Sequence, residues 1–250
     1  MLNNLYTLTL LKAFDILSCF ENDTQEIGIK EISGQIGMPQ SSVYRIIQSL
    51  EFIGLIFQNQ ETKKYRIGTK LLEISRKGSC LDRYFGVVKK HMKALAQETQ
   101  ETVNLAIASC DKIIYIHQVE SPHVLRPNFV LNTSYSSCTT ALGKVLLAEQ
   151  SEQSLKWVYQ NNSSELSLSL EEFLKEIREV RKNGYAYDDQ VFSPGLRCVA
   201  APVRGPGGKV IFSMSVSAPV VRMEMETYAR VTERVVHYAA LASEEIQSMS

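Results

Sequence analysis

One face of a short predicted helix carries side chains suited to hydrogen bonding with the edges of DNA bases. The apolar residues of this helix recur at the spacing i, i+3, i+4 and i+7: Val43, Ile46, Ile47 and Leu50. The polar residues on its other faces include Ser41, Ser42, Tyr44, Arg45 and Gln48. Arg, Gln, Ser and Tyr can match the donors and acceptors that base pairs present in the major groove. We therefore predict a recognition helix that reads DNA through these five residues.

The residues before this helix predict a partner helix and a tight turn. Ile29, Ile32 and Ile36 lie on one stripe of the preceding helix. Gly37 suits the end of that helix, where a positive φ is often required. Pro39 cannot continue the first helix but fits the first turn of the second. The two segments together predict a helix-turn-helix.

Two short predicted strands follow the recognition helix and form a basic wing. The strands are Leu55–Gln58 and Lys64–Ile67, and Asn59–Lys63 makes the tip. Between residues 39 and 79 there are seven Lys and Arg against three Asp and Glu, a local net charge of +4, although the whole chain is neutral. We expect Lys63, Lys64 and Arg66 to contact phosphates, which position a protein on DNA without specifying sequence. The alternatives for this region are a helical packing module and a wing that binds protein.

Composition narrows the class of protein. The chain has 250 residues, 44% hydrophobic and 22% charged, as in an ordinary soluble protein of one or two domains. No apolar run approaches the ~20 residues of a membrane span, and the N-terminus lacks the features of a signal peptide. The five cysteines form neither a CxxC pair nor a Cys/His cluster, so we expect no metal, no cofactor and a reducing cytoplasmic location.

The rest of the chain predicts a second domain of mixed helices and strands. We place the domain boundary at Gly78-Ser79, and we expect the first helix, Leu8–Phe20, to pack through Leu10, Phe14 and Leu17. Predicted strands lie at Thr102–Ala108, Ile113–Val119, Tyr185–Asp188, Cys198–Val203 and Val210–Val216. Predicted helices lie at Leu81–Gln100, Thr139–Leu147, Gln153–Tyr159, Ser169–Lys182 and Met225–Ile246. This order predicts an α+β domain built on an antiparallel sheet.

From Leu8 to its C-terminal helix, the chain resembles the IclR family of transcriptional regulators. The motifs that carry the resemblance are PQSSVYRIIQSLEFIGLI, YRIG, TALGKVLLA, NGYAYDD, GLRCVAAPV and SMSVSAP, in that order. The resemblance implies a winged helix-turn-helix DNA-binding domain at 1–78 and a linker helix at 79–100. It further implies a GAF-like effector-binding and oligomerisation domain at 101–250. Members of the family form homodimers, often paired into tetramers, on a palindromic double-stranded DNA operator.

The resemblance also implies an effector pocket between the sheet and the helix of the GK motif. The residues carried over to this pocket are Ala141, Leu142, Asp188, Leu196, Cys198, Ser215 and Ser217. In family members that bind small oxo-acids this pocket takes the acid, so we expect a small organic acid or sugar acid here. This chain departs from the common pattern at Gln190-Val191, where glutamates are frequent, and at Ser137–Thr140, where His or Ser is frequent.

Elementary chemistry supports this pocket but leaves alternatives open. Ser215 and Ser217 alternate along a strand and point to one sheet face, where a ligand would satisfy them unless that face is solvated. Asp188 either holds a ligand hydroxyl or caps a loop. A bound carboxylate would find donors at the N-terminus of the Thr140–Leu147 helix. Lys144 is either a ligand cation or a solvated lysine, and we expect Trp157 in the core.

These observations favour a ligand-responsive repressor or activator, more often a repressor, that controls a catabolic operon. A constitutive dimeric DNA-binding protein without an effector is one alternative. The other is an enzyme with Cys198 or Cys138 as nucleophile. A thiol nucleophile needs an activating histidine or cationic setting, and none of the four histidines is near either cysteine in the sequence. We therefore expect no enzymatic activity.

Overall fold

The computed structural model describes residues 8–20, 26–78 and 80–249. The chain divides into two compact units, of which the first ends at Cys80 and the second begins at Leu81. Ser79, one half of the predicted domain boundary, lies outside the described residues, as does the segment before Leu8. Each unit has its own hydrophobic core.

The first unit is a winged helix-turn-helix. Its elements are α1 (Leu8–Ser18), α2 (Ile29–Ile36), α3 (Gln40–Phe52), β1 (Ile56–Gln58), β2 (Tyr65–Ile67) and α4 (Lys70–Gly78). Gly37 ends α2 with a φ of 65°, the left-handed conformation for which glycine has no Cβ penalty. Ile32, Val43 and Ile47 are fully buried between the helices, as their spacing predicts. β1 and β2 pair antiparallel as the wing.

The predicted packing face of α1 is wrong for Leu10 and Phe14, whereas Leu17 is half-buried and packs against the core as predicted. Leu10 and Phe14 are 59% and 61% exposed, and the residues that enter the core are Ile16 and Cys19. The reason is that α1 is apolar on most of its circumference, so its sequence contains two candidate faces. The packing of α2 and α3 selects the face of Ile16.

The second unit is built on a six-stranded antiparallel sheet with the order β5-β4-β3-β8-β7-β6. The strands are β3 (Thr102–Ser109), β4 (Lys112–Val119), β5 (Ser134–Ser136), β6 (Ala186–Asp189), β7 (Leu196–Arg204) and β8 (Val210–Pro219). The helices are α5 (Cys80–Thr99), α6 (Ala141–Leu147), α7 (Glu152–Asn162), α8 (Leu170–Asn183) and α9 (Met225–Ser248). The predicted α+β class is confirmed. The short strand β5 was not predicted.

Helices cover both faces of this sheet. α5 and α9 pack on the face that carries Leu105, Met214 and Val216. α6, α7 and α8 pack on the opposite face, which carries Cys198 and Ala200. Ser215 and Ser217 alternate with Met214 and Val216 and are buried on this second face. The prediction that the two serines share one face is confirmed, and the alternative of a solvated face is wrong.

The predicted capping box of α8 is present, but the predicted burial of Trp157 is wrong. Ser169 accepts a hydrogen bond from the backbone N–H of Glu172, whose carboxylate accepts from Ser169 in return. Trp157 is 50% exposed. α7 packs through Leu155 and Val158, and Trp157 lies off that stripe.

Candidate DNA interface and effector site

The predicted reading face of α3 is available to solvent. Ser41, Tyr44, Arg45 and Gln48 are exposed, and Ser42 is half-buried. Gln48 makes a long contact of 3.4 Å with Glu51 on the same helix and a side-chain hydrogen bond with Tyr65. In the described chain, no side-chain hydrogen bond caps α3 at Pro39. The N–H of Ser42 donates to the Pro39 carbonyl, and those of Gln40 and Ser41 remain available to an acceptor such as a phosphate. The arrangement suits insertion of α3 into a major groove.

The three basic residues of the wing differ in their surroundings. Lys63 is exposed at the turn, with a positive φ of 58°. Lys64 forms an ion pair with Glu31 of α2, with Nζ and Oε1 3.1 Å apart. The guanidinium of Arg66 lies 4.0 Å from the centre of the Phe57 ring. Lys64 therefore has a protein anion as a competitor for phosphate, whereas Lys63 and Arg66 have no ion pair within the described residues.

A carboxylate that the sequence analysis missed braces the wing. Glu26 accepts hydrogen bonds from Asn59 Nδ2 and Thr62 Oγ1, each at 2.6 Å. These two hydrogen bonds, of which the one from Thr62 has the larger effect, hold the pKa of the Glu26 carboxyl below its ordinary value. Ile27 beside it forms an antiparallel bridge with Tyr65 of β2. No local pattern reveals this contact, because the partners lie more than thirty residues apart.

In the second unit, polar side chains form a buried patch on the α6 face of the sheet. We call it the polar floor, and it consists of Thr102, Asn104, Asp188, Cys198, Ser215 and Ser217. Strand pairing arranges it in two rows. Thr102, Ser217, Cys198 and Asp188 are successive cross-strand neighbours in one row, and Asn104 faces Ser215 in the next. The structure thus brings four of the predicted effector residues together with two that were not predicted.

Asn104 is the main residue that the sequence analysis missed. Its Nδ2 lies 3.1 Å from Ser217 Oγ and 3.4 Å from Ser215 Oγ, and it donates to both. Asn104 Oδ1 has no hydrogen-bond partner among the described residues. The available signal was one amide side chain in an otherwise apolar stretch, VNLAIA.

Asp188 adopts one of its two predicted roles and retains the capacity for the other. Its Oδ1 accepts from the backbone N–H groups of Val191 and Phe192, at 2.9 and 3.2 Å, and so caps the following loop. Its Oδ2 is buried and finds no donor in the part of the chain that the structure describes. Burial raises the pKa of the Asp188 carboxyl, although the two backbone hydrogen bonds oppose that change. We refer to Asp188 Oδ2 and Asn104 Oδ1 as the open acceptors.

Helix α6 covers the polar floor with Ala141 and Leu142, both buried. Thr140 is its N-cap and accepts from the N–H of Gly143 at 3.1 Å. Lys144 is buried and pairs with Glu176 of α8, with Nζ and Oε1 2.7 Å apart. The interpretation of Lys144 as a solvated lysine is therefore wrong.

Leu196 lies where the part of the sheet that α6 covers reaches the protein surface. A depression of about 380 Å³ opens there, lined mainly by residues 125–129 and 192–196. Its inner wall includes Phe129, Tyr135 and Phe192, whose ring centres are 5.8 to 6.2 Å apart. These rings pack against the same apolar cluster as Ala141, Leu142 and Cys198. The depression is thus lined in part by rings that pack on the apolar cluster to which Cys198 of the polar floor also belongs.

The two candidate nucleophiles, Cys138 and Cys198, are buried thiols. Burial raises the pKa of Cys138 to about 11 and also raises the pKa of Cys198. A nucleophilic cysteine needs a depressed pKa, because the thiolate is the reactive form. Neither thiol has the electrostatic setting that the enzyme alternative requires.

Behind the sheet, α9 contacts the polar floor through Tyr228. The Tyr228 hydroxyl lies 2.7 Å from the carbonyl oxygen of Cys198, to which it donates, and 3.3 Å from that of Asp188. α9 is also tied to α5 by ion pairs, including Glu245 with Lys90 at 3.1 Å. The backbone of the floor is therefore connected to the helix that begins at the unit boundary.

No helix within the described ranges is sufficiently long and apolar to cross a membrane.

Comparison with known proteins identifies the family. Residues 9–60 match the IclR helix-turn-helix domain, and residues 85–244 match the C-terminal domain of bacterial IclR transcriptional regulators. The chain is 32% identical over 223 residues to the HTH-type transcriptional regulator KdgR of Escherichia coli strain K12, covering 87% of this chain and 84% of that one. It is 25% identical to the transcriptional repressor IclR of the same organism, covering 90% and 84%.

Solved structures share the fold. An IclR homologue from Microbacterium hydrocarbonoxydans, complexed with 4-hydroxybenzoate, aligns with a TM-score of 0.76 and 18% identity, covering 97% of this chain and all of that one. An IclR transcriptional regulator from Alicyclobacillus acidocaldarius aligns with a TM-score of 0.72 and 21% identity, covering 96% and 99%. The chain has a winged helix-turn-helix followed by an antiparallel sheet that helices cover, and it matches both domain models of one family. It is therefore a member of the IclR family of transcriptional regulators.

Proposed function

We propose that this regulator represses a catabolic operon and that a small organic acid or sugar acid bound at the polar floor changes its affinity for DNA. The observation that carries the effector half of the proposal is that two of the buried polar atoms without a partner in the described chain, the open acceptors, lie on the polar floor. A buried polar atom without a partner costs about 1–3 kcal/mol, and a ligand that donates to it removes that cost. The 4-hydroxybenzoate bound by the Microbacterium homologue supports an organic acid as the ligand class.

The assignment of residues follows the polar surfaces. Ser41, Ser42, Tyr44, Arg45 and Gln48 read bases, and Lys63, Lys64 and Arg66 contact phosphates. Ala141, Leu142, Asp188, Leu196, Cys198, Ser215 and Ser217 surround the effector. The winged unit takes residues 1–78, the linker helix 79–100 and the effector domain 101–250. The protein acts in the cytoplasm and has no enzymatic activity. It binds a palindromic operator as a homodimer or as a pair of homodimers. Light scattering with and without DNA tests this oligomeric state.

A thermal-shift screen of the full-length protein tests the effector. Sugar acids, aromatic acids and short oxo-acids are compared with their uncharged amides. We expect at least one acid to raise the melting temperature. We expect the same acid to change the affinity of the protein for DNA that has been selected from a random duplex library. If no acid changes either quantity, the constitutive DNA-binding alternative replaces this proposal.

Arg45→Ala is expected to weaken binding to the selected DNA by about 1–3 kcal/mol and to relax its sequence preference. Arg45 is exposed on α3 and presents a guanidinium that can pair with guanine. Gel-shift titration measures the effect. Arg178→Ala removes the same charge from an exposed position on α8 and is the matched control. Equal affinities of the Arg45 variant and the control would remove Arg45 from the base-reading set.

Tyr228→Phe is expected to reduce the effect of the acid on DNA affinity while leaving DNA affinity without the acid unchanged. The substitution removes only the hydroxyl that donates to Cys198 and Asp188 from behind the sheet. Coupling free energies of this kind are about 1–3 kcal/mol. Tyr159→Phe, which removes a hydroxyl that donates to the Leu168 carbonyl at the surface, is the control. Gel shifts with and without the acid measure the ratio of the two DNA affinities. If this ratio is the same in Tyr228→Phe as in the native chain, Tyr228 takes no part in the coupling.

A further inference from the structure

Asn104 fixes the direction of hydrogen bonding on the polar floor. Its Nδ2 donates to the oxygen atoms of Ser215 and Ser217. A hydroxyl that accepts through a lone pair still carries its own hydrogen. The hydroxyl hydrogens of Ser215 and Ser217 can therefore turn toward a group that lies over the sheet, although the Cys198 sulfur is an alternative partner for Ser217. Two donors side by side suit a carboxylate or an oxo oxygen.

The amide oxygen of Asn104 has the opposite requirement. It is fully buried, and within residues 8–20, 26–78 and 80–249 no donor reaches it. The other open acceptor, Asp188 Oδ2, belongs to the far end of the neighbouring row, three strands away. Buried acceptors in native proteins are almost always satisfied by protein, water or ligand. The floor thus combines central donors with an acceptor at each side.

We propose that Asn104 is a specificity-determining residue that selects a hydroxy acid as the effector. This inference rests on the proposed function and specifies its ligand class. The acid group accepts from Ser215 and Ser217, which Asn104 Nδ2 orients as donors. A hydroxyl of the same ligand donates to Asn104 Oδ1. An acid without a hydroxyl leaves that oxygen unsatisfied, and a site built to bond a hydroxyl discriminates strongly against such an acid.

An amino acid fits this floor less well than a hydroxy acid. A buried ammonium group requires a nearby anion and several acceptors. Asn104 offers one neutral oxygen, and its cross-strand neighbour on β8 is the hydroxyl of Ser215. One hydroxyl matches one neutral acceptor without burying a further charge.

Matched three-carbon acids test the inference on the full-length protein. Propionate, L- and D-lactate, glycerate and L-alanine are titrated calorimetrically into the native chain, Asn104→Leu and Asn104→Asp. We expect the native chain to bind a lactate or glycerate about tenfold or more tightly than propionate. In Asn104→Leu, whose side chain has the same number of heavy atoms and the same branching, this preference is expected to fall to about one. In Asn104→Asp, all the acids are expected to bind weakly, because the serines then donate to the new carboxylate, which also repels the ligand.

The unfolding temperature and the DNA affinity of each variant without acid establish that it is folded, and the aspartate variant serves if the leucine variant does not fold. Equal binding of propionate and the hydroxy acids by the native chain would overturn the inference and leave the organic-acid effector standing. Retained preference in Asn104→Leu, undiminished acid affinity in Asn104→Asp, or tighter binding of alanine than of lactate would also overturn it. If no acid in this set or in the thermal-shift screen binds, the proposed effector class itself fails.

Discussion

Replacing Gly143 with alanine is expected to lower the free energy of unfolding of the second unit by about 3 kcal/mol or more. A Cβ at this position would overlap the backbone of Ser137, with the Ser137 carbonyl carbon only 2.6 Å away. Ser137 cannot easily retreat, because its hydroxyl donates to the Asp111 carbonyl at 2.5 Å and Thr140 Oγ1 donates to the adjacent Ser136 carbonyl at 2.9 Å. The relief available is a shift of α6 away from the polar floor.

Chemical denaturation measures this effect, and Trp157 is a convenient probe. It is the one tryptophan of the chain and lies on α7 in the second unit. Gly86→Ala is the control, because an added Cβ at this exposed position of α5 would meet no atom within 4 Å in the described structure. That variant is expected to be neutral or up to about 1 kcal/mol more stable, since alanine favours a helix over glycine. Equal midpoints for Gly143→Ala and the native chain would mean that α6 is not held against Ser137.

Asp188→Asn is expected to make the protein more stable at neutral pH, because it removes a buried charge, and to weaken effector binding. The asparagine oxygen can still accept from the N–H groups of Val191 and Phe192, so the loop cap is retained. The substitution removes a buried negative charge and replaces the open acceptor Oδ2 with a donor. A ligand hydroxyl then meets a donor where the native protein offers an acceptor.

The stability gain should depend on pH in a defined direction. Burial raises the pKa of Asp188 above its unfolded value, so ionisation of the folded protein is unfavourable. The penalty is absent below the unfolded pKa and reaches its full size above the raised folded pKa. The advantage of Asp188→Asn over the native chain should therefore grow as the pH rises through that interval and then remain constant.

Asp189→Asn is the matched control for this pH series. Asp189 is the next residue and pairs with Arg197 at 2.8 Å, which lowers its pKa. Its carboxylate contributes stability above its unfolded pKa and loses that contribution as the pH falls through the lowered one, so the control should show the opposite sign. Urea denaturation at several pH values compares the two. A Asp188→Asn variant less stable than the native chain at neutral pH would contradict the expectation.

The local features of the fold could be predicted from the sequence. The helix-turn-helix follows from the isoleucine spacing together with Gly37 and Pro39. These two residues determine the backbone conformation only of their near neighbours in the chain. The capping box at Ser169 is likewise local. The face of Ser215 and Ser217 follows from strand alternation, because a regular strand has a period of two.

Features that depend on distant partners could not be predicted. β5 has three polar or aromatic residues and forms only because β4 provides an open edge. The burial of Lys144 depends on Glu176, which comes from another helix. Asn104 acquires its role from serines more than a hundred residues away. An isolated strand pattern contains none of this information.

The position of Asp188 has a consequence for self-association. Its strand, β6, forms one edge of the six-stranded sheet, so one side of β6 pairs with no strand in the described structure. An exposed edge of this kind can add a strand from a second molecule, and a charge that points inward from an edge strand is one of the ways in which proteins prevent this. Removing the charge of Asp188 is expected to stabilise the folded chain. It is also expected to make association of two molecules through the β6 edge easier. We therefore expect the Asp188 carboxylate, whose burial opposes folding, also to oppose association through the β6 edge.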